Sequence, residues 1–247
     1  SEGEIRRTET DADGDGQAED VIEYEQGRAV RRSQDRNARG QFDRVIHYIH
    51  NIHDASDSSG AAGASRQGEP IPLRIEEDSN GDGNFDTVLF YTDGVHRRSQ
   101  RDSNANRATD IWIFNDAQGL ILRREEDRSG DGIADFIVHF REGVARRVET
   151  RRPGDPAEGP GCNEVTSWLN KAGDVIAEEK DTSGDCRMDT WSYYASAGGG
   201  AGRLTRQARD SDLDGKPDLL VAFDAQQRIR TQELAGPGGR PNKKIFL

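Results

Sequence analysis

Apolar residues in this chain come in short bursts: VIEY (21–24), VIHYI (45–49), TVLFY (87–91), IWIF (111–114), FIVHF (136–140), WSYY (191–194) and LLVAF (219–223). The bursts are rich in β-branched and aromatic residues and do not alternate with polar ones, which predicts strands with two apolar faces. Gly27, Gly94, Gly119, Gly143 and Gly173 mark a tight turn after such runs, because a hairpin turn needs positive φ. A more polar strand follows, such as VHRRSQR (95–101) or LILRREE (120–126), and leads into an acidic, glycine-bearing segment. The unit therefore reads acidic loop, strand, turn, strand, and strands joined this way run antiparallel. The expectation is an all-β antiparallel meander of loop-strand-turn-strand repeats, either propeller-like or a rolled or twisted sheet. A single repeat domain would span 1–247, with a Ser/Gly/Ala-rich insertion loop at about 54–70 and a flexible tail at about 235–247.

The acidic segments are copies of one template. Asp11–Glu19, Asp78–Asp86, Asp127–Asp135, Asp181–Asp189 and Asp210–Asp218 share it, Asp35–Asp43 and Asp102–Asp110 are degenerate copies, and an eroded one ends near Glu164. Start-to-start spacings of 24 or 25 residues recur between neighbouring copies. Five residues beyond the ninth loop position stand Tyr24, Tyr48, Tyr91, Phe140, Leu169, Tyr194 and Phe223. A period of this length is the mark of a repeat architecture.

Composition makes the loops important. Leu, Ile, Val and Phe make up only 45 of 247 residues, and 34 Lys plus Arg against 46 Asp plus Glu leave a net charge of −12. Such a chain lies near the disordered class, so something besides an apolar core must hold it together. Calcium fits that need, since it takes six to eight oxygens at about 2.3–2.6 Å from carboxylates, amides, carbonyls and water. The template places side-chain oxygens at positions 1, 3, 5 and 9 and a backbone carbonyl at position 7. The candidate ligands are Asp11, Asp13, Asp15, Gln17 and Glu19; Asp78, Asn80, Asp82, Asn84 and Asp86; Asp127, Ser129, Asp131, Ile133 and Asp135. Asp181, Ser183, Asp185, Arg187 and Asp189, with Asp210, Asp212, Asp214, Lys216 and Asp218, complete the five expected Ca2+ sites. Seventeen carboxylates occupy these positions, and five Ca2+ would bring +10 against the net −12. Position 12 is Ile22, Leu89, Val138, Ser192 or Val221, so the loops lack the closing Glu of a helical EF-hand. Arg39 and Arg107 stand inside the degenerate loops, which are expected to be weak or empty.

These strand-flanked loops resemble those of FG-GAP and VCBS-type repeats, found in integrin-like propellers and bacterial surface proteins; DSDLDGKPDLLVAF from Asp210 is the best match. The resemblance implies calcium and an extracellular setting. The repeat here is about half the length of a four-stranded blade.

Cys162 and Cys186 lie 24 residues apart, one repeat length. Neighbouring loops could bring them together as a disulfide, which suits an oxidising compartment; a reactive thiol is the alternative. Arg7, Arg31, Arg74, Arg98, Arg123 and Arg206 each stand four residues before a loop and should line up across the sheet. They would pair with carboxylates or cover aromatic rings, or else form an anion-binding face. His47, His50 and His53 alternate faces in a strand and do not suit one zinc ion, while Trp112, Trp168 and Trp191 read as strand core. The acidic balance argues against nucleic acid, no run is long enough for a transmembrane helix, and no catalytic motif is present. The chain is thus expected to be a secreted, periplasmic or cell-surface bacterial protein and not an enzyme. It would act as a calcium-binding adhesion or surface-assembly scaffold, with a protein or glycan partner. A polysaccharide-binding lectin or carbohydrate-active enzyme on a calcium-stabilised fold is the alternative.

Overall fold

The computed structural model describes residues 4–49, 70–154, 161–196, 202–236 and 240–246. Among them every regular element is a strand. The chain divides into two compact units, 1–120 and 121–247. The first carries β1 (Arg7–Thr10), β2 (Asp20–Glu25), β3 (Arg28–Gln34), β4 (Arg44–Ile49), β5 (Ile71–Glu77), β6 (Thr87–Thr92), β7 (Val95–Arg101) and β8 (Ile111–Asn115). The second carries β9 (Ile121–Glu126), β10 (Phe136–Arg141), β11 (Val144–Arg151), β12 (Asn163–Leu169), β13 (Val175–Lys180), β14 (Thr190–Ala195), β15 (Arg203–Arg209), β16 (Leu219–Phe223), β17 (Ile229–Gly236) and β18 (Arg240–Phe246).

Within each unit, every strand pairs antiparallel with its sequence neighbours, from β1 through β8 and from β9 through β18. A propeller would interrupt this ladder after each blade. The uninterrupted meander is the open-sheet form of the expected architecture. The segment from 235 onward, expected as a flexible tail, contributes Ala235 and Gly236 to β17 and residues 240–246 to β18. Its register runs from Thr231 opposite Phe246 to Gly236 opposite Arg240, with an irregularity at Leu234/Ala235 near Pro241. Proline is tolerated in strands at such places. The insertion, 54–69 of the expected 54–70, lies outside the described residues, as do His50 and His53.

The turns follow two designs. Gln26–Gly27, Asp93–Gly94 and Glu142–Gly143 each have two consecutive positive φ values, the signature of a two-residue type I′ hairpin. Elsewhere an Asx side chain holds the turn: Asp116 Oδ1 accepts the amides of Gln118 and Leu120, and Asn170 and Asp224 accept equivalent pairs. Before the turn, the ladder slips by one residue at Glu23/Tyr24, His47/Tyr48, Phe90/Tyr91, His139/Phe140, Trp168/Leu169, Tyr193/Tyr194 and Ala222/Phe223. These irregularities fall at the very residues that recur five places after the loops. The extra residue lies in the following strand, as Val30 and Arg97 do, so the recurring large residue stands opposite a repeated bulge.

Packing is lateral. Among the described residues the buried apolar ones are few: Val21, Val45, Ile46, Ile71, Ile75, Ile137 and Ala208. Most strand residues are half-buried on both faces, the three tryptophans included. Small residues such as Ser33, Ser99 and Ser192 are buried. The arginines form the expected cross-strand row. In the first unit it passes through Arg7, Glu23, Arg31, His47, Arg74, Phe90, Arg98 and Phe114. The Phe90 ring lies between two guanidinium groups, 5.9 Å from Arg74 and 5.0 Å from Arg98. Arg74 also pairs with Glu76, and Arg31 with Glu23 at 3.6 Å. In the second unit Arg147 and Arg151 both reach Glu149, at 2.5 and 2.9 Å.

Cation–π contacts and partial burial each contribute on the order of 1 kcal/mol at such sites. Phe90→Ala should therefore cost about 1–2 kcal/mol in urea unfolding, and Phe90→Tyr little. An unchanged midpoint for Phe90→Ala would remove the arginine–aromatic row from the stabilising interactions.

Candidate metal-binding loops

The acidic loops connect successive strands at one end of each unit's sheet, and the turns lie at the other. They close because an acidic side chain at position 1 accepts backbone amides from the loop that it begins. Asp11 accepts Gly14 N at 2.7 Å and Gly16 N at 3.0 Å. Asp78, Asp127 and Asp181 repeat the pattern, Asp181 with Gly184 N at 2.6 Å and Cys186 N at 2.9 Å. Asp210 accepts Asp214 N and Gly215 N. The position 5 carboxylates hold position 7: Asp15, Asp82, Asp131, Asp185 and Asp214 accept the amides of Gln17, Asn84, Ile133, Arg187 and Lys216 at 2.7–3.0 Å. The degenerate loops close the same way, through Asp35 to Arg39 N and Gly40 N, and Asp102 to Asn106 N and Arg107 N.

Loops also join one another. The amide of the next loop's first residue donates to the ninth residue's carbonyl, from Asp35 to Glu19, Asp78 to Asp43, Asp102 to Asp86 and Asp210 to Asp189. Asp181 N donates to Glu164 O in the same manner, which identifies Glu164 as the end of the eroded copy. That copy carries Cys162, bonded to Cys186 with their Cα atoms 5.3 Å apart.

The five loops differ in what their carboxylates face. In the first, oxygens of Asp11, Asp13, Asp15 and Glu19 lie within 4.8 Å of one another; in the last, those of Asp210, Asp212 and Asp218 do. Two ligands on opposite sides of an ion at 2.4 Å would stand about 4.8 Å apart, so these sets match the size of a calcium shell. The ninth carboxylate also reaches the start of its own loop: Glu19 accepts Ala12 N at 2.6 Å, and in the three intermediate loops the contact is more extensive. Asp86 accepts Ser79 N, Asn80 N, Ser79 Oγ and Thr87 Oγ1. Asp189 does the same with Thr182, Ser183 and Thr190, and Asp135 accepts the amides of Arg128 and Ser129. Ser129 and Ser183 donate their hydroxyls to Asp127 and Asp181. In loop 127–135, however, Asp131 Oδ2 is buried without a hydrogen-bond partner, and a cation would satisfy it.

Arginine acts on two of these loops. Arg39 donates to Gly81 O at 3.0 Å, and Arg152 donates to the equivalent Gly184 O at 2.7 Å. Arg152 also lies 2.9 Å from Asp181 Oδ2, whose side chain is 0% exposed. That oxygen thus already faces a positive charge, a feature that spacing could not reveal because Arg152 precedes Asp181 by 29 residues.

Burial acts to raise Asp127, Asp181 and Asp189, but their hydrogen-bond donors outweigh it and hold all three carboxyls below the usual range. In Asp212 burial, with repulsion from Asp214 and Asp218, prevails over the amide of Asp214 and raises the carboxyl.

No family model matches the chain, and no curated protein matches it. Among solved structures it is similar to a GtfA/B complex bound to UDP and GlcNAc (TM-score 0.32, 13% identity, 45% of this chain and 22% of that chain). It thus spans less than a quarter of that protein's chain. It is also similar to a porin-like protein from Bacteroides uniformis (TM-score 0.23, 9% identity, 71% of this chain and 88% of that chain). Likenesses this slight bear on neither fold nor activity.

Carboxyls with lowered folded pKa values stabilise the fold above the unfolded value of about 3.9 and lose that effect as pH falls through their folded values. In calcium-free buffer, stability should hold from neutral pH to about pH 5 and fall below about pH 4. Asp127→Asn should cost about 1–2 kcal/mol at neutral pH, because one oxygen replaces two acceptors, and should flatten the acid decline. Chemical unfolding across pH would measure both, and an unaltered acid decline would count against Asp127.

Proposed function

We propose that the chain is a calcium-stabilised repeat scaffold of the cell exterior, acting in adhesion or surface assembly. The observation that carries this reading is the group of four carboxylates, Asp11, Asp13, Asp15 and Glu19, with oxygens within 4.8 Å of one another. Held together without a cation, they repel; a divalent ion with added carbonyl and water oxygens turns that repulsion into cohesion. The residues fit calcium better than a softer metal, since every side-chain donor is a carboxylate. Asp210, Asp212 and Asp218 form the second such group, and the orphaned Asp131 Oδ2 supports loop 127–135 as a third site.

The exterior setting draws support from the Cys162–Cys186 disulfide. No helix among the described residues is long and apolar enough to cross a membrane. A scaffold role follows from the scale of the effect. With calcium tenfold above its dissociation constant, each site adds about 1.4 kcal/mol to stability. Several sites together are a sizeable share of a domain's 5–15 kcal/mol or so. A sheet with so little buried apolar area would use calcium as part of its fold.

Thermal melts by circular dichroism test this directly. Millimolar calcium should raise the midpoint by several degrees or more over chelator, and magnesium should do less. Asp131→Asn should reduce the increase while leaving the chelator melt nearly unchanged. Identical melts in calcium and chelator would refute the proposal.

Arg152→Ala gives a second test. Loss of the cation beside buried Asp181 should cost about 1–2 kcal/mol in chelator, discounted for the partial exposure of Arg152. Calcium should then stabilise this variant more than the parent protein. An equal calcium response would mean that Arg152 does not stand in for an ion at loop 181–189.

A further inference from the structure

Between loops 78–86 and 102–110 of the first unit lies a cleft of about 440 Å3. Ligand pockets fall in the range of about 300–1,000 Å3. Asn80, Asp82, Asn84 and Phe85 line it from one loop, Gln100 from β7, and Arg107 from the other loop.

Two of these residues are costly where they stand. Phe85 is 44% exposed at the eighth loop position, where Phe42 is 40% exposed in loop 35–43, loop 181–189 has Met188, and loops 11–19, 127–135 and 210–218 have Ala18, Ala134 and Pro217. Arg107 has φ +71° at the sixth position, where Gly16, Gly83, Gly132 and Gly215 have φ +88° or +89°. A residue with a Cβ costs on the order of 1 kcal/mol in that region. The loop still closes, because Asp102 accepts Arg107 N at 2.6 Å. Glycine would serve the backbone better, so the guanidinium is what the position gains.

The lining side chains also select a chemistry. The carboxylates of Asp86 and Asp102 are taken up by amides of their own loops. Asp82 is held in place by Asn84 N and by the Asn80 and Asn84 side-chain amides. Arg107 adds a weaker attraction to these hydrogen bonds. The cleft therefore combines one carboxylate, one guanidinium, planar amides and one accessible aromatic ring. An anion would meet Asp82 and the overall negative charge, and a cation would meet Arg107. A neutral ring with vicinal hydroxyls suits both, since hydroxyls donate to a carboxylate and accept from amides or guanidinium. The C–H face of such a ring can lie on an aromatic side chain.

We propose that this cleft binds a neutral sugar ring of a glycan, stacked on Phe85 and hydrogen-bonded by Asp82, Gln100 and Arg107. The proposal goes beyond the scaffold reading; because Asp82 is also a candidate calcium ligand, binding is measured with and without calcium.

The test is isothermal titration of the whole chain with cellotetraose, maltotetraose, mannotetraose and xylotetraose, and with tetragalacturonate as the charged comparison. Each titration is run in calcium and in chelator. At least one neutral tetrasaccharide should bind with submillimolar to millimolar affinity in one or both conditions, and tetragalacturonate more weakly. Phe85→Ala and Arg107→Gly should each weaken binding at least about tenfold. Arg107→Gly removes the backbone strain, so its melting temperature should equal or exceed that of the parent, separating lost binding from lost folding. The proposal is overturned if no neutral tetrasaccharide binds, if tetragalacturonate binds best, or if both variants bind like the parent.

Discussion

A carboxylate that accepts the backbone amides of its own loop is the interaction on which this structure depends. A tight nine-residue connection leaves several amides pointing inward with no strand to receive them, and burying them unpaired would cost more than a short loop could recover. Asp11, Asp35, Asp78, Asp102, Asp127, Asp181 and Asp210 each supply the missing acceptor. The ninth residue then hands its carbonyl to the amide that opens the next loop, as Asp189 does for Asp210. Each loop is thereby fixed both internally and against its neighbour, and the strands between inherit that spacing.

Closure and ion binding are separate properties of the template. The degenerate loops 35–43 and 102–110 fold on amide capture alone, although Arg39 and Arg107 stand among their acidic residues. Loops 11–19 and 210–218 go further and gather surplus negative charge. Loop 181–189 lies between these cases, with Arg152 against its first carboxylate and a disulfide at its sixth position. The repeat can thus balance its charge with metal, with guanidinium or by omitting carboxylates, while the backbone remains the same.

Much of this organisation was legible in the sequence, because both the loop template and the strand runs rely on local chemistry. Gly27, Gly94 and Gly143 announced hairpin turns, and the row from Arg31 to Arg98 followed from the period of the repeat. The recurrence of Tyr24, Tyr91 and Phe140 was also visible, but not its meaning, since a bulge depends on the partner strand's register. The strand at 240–246 was hidden behind Gly and Pro, which signal breaks unless an irregular pairing accommodates them. Apolar bursts suggested a covered core; the half-buried faces instead receive arginine stems from adjacent strands, an arrangement set by neighbours across the sheet. Glu19 accepts Ala12 N and still joins a carboxylate cluster, whereas Asp86 is taken up further by the hydroxyls of Ser79 and Thr87, a difference of side-chain length and of neighbouring hydroxyls.

The separation of loops and turns to opposite ends of each sheet makes the two ends unequal in how they tolerate change. At the loop end, nine residues are fixed by the reach of one side chain, so an added residue would break the amide capture. The long sequence between β4 and β5, and the shorter one between β14 and β15, both fall at the turn end. The loop-end connections that depart from nine residues, between β11 and β12 and between β17 and β18, have Arg151 and Ala235 where their relatives have aspartate, the amides of both donating to the preceding ninth-residue carbonyls, Asp135 O and Asp218 O. Length can therefore vary freely where hairpins turn, and at the acidic end only where the capturing carboxylate has been given up. A peptide grafted between β14 and β15 would meet no such constraint, which makes the turn end the natural attachment point for added sequence.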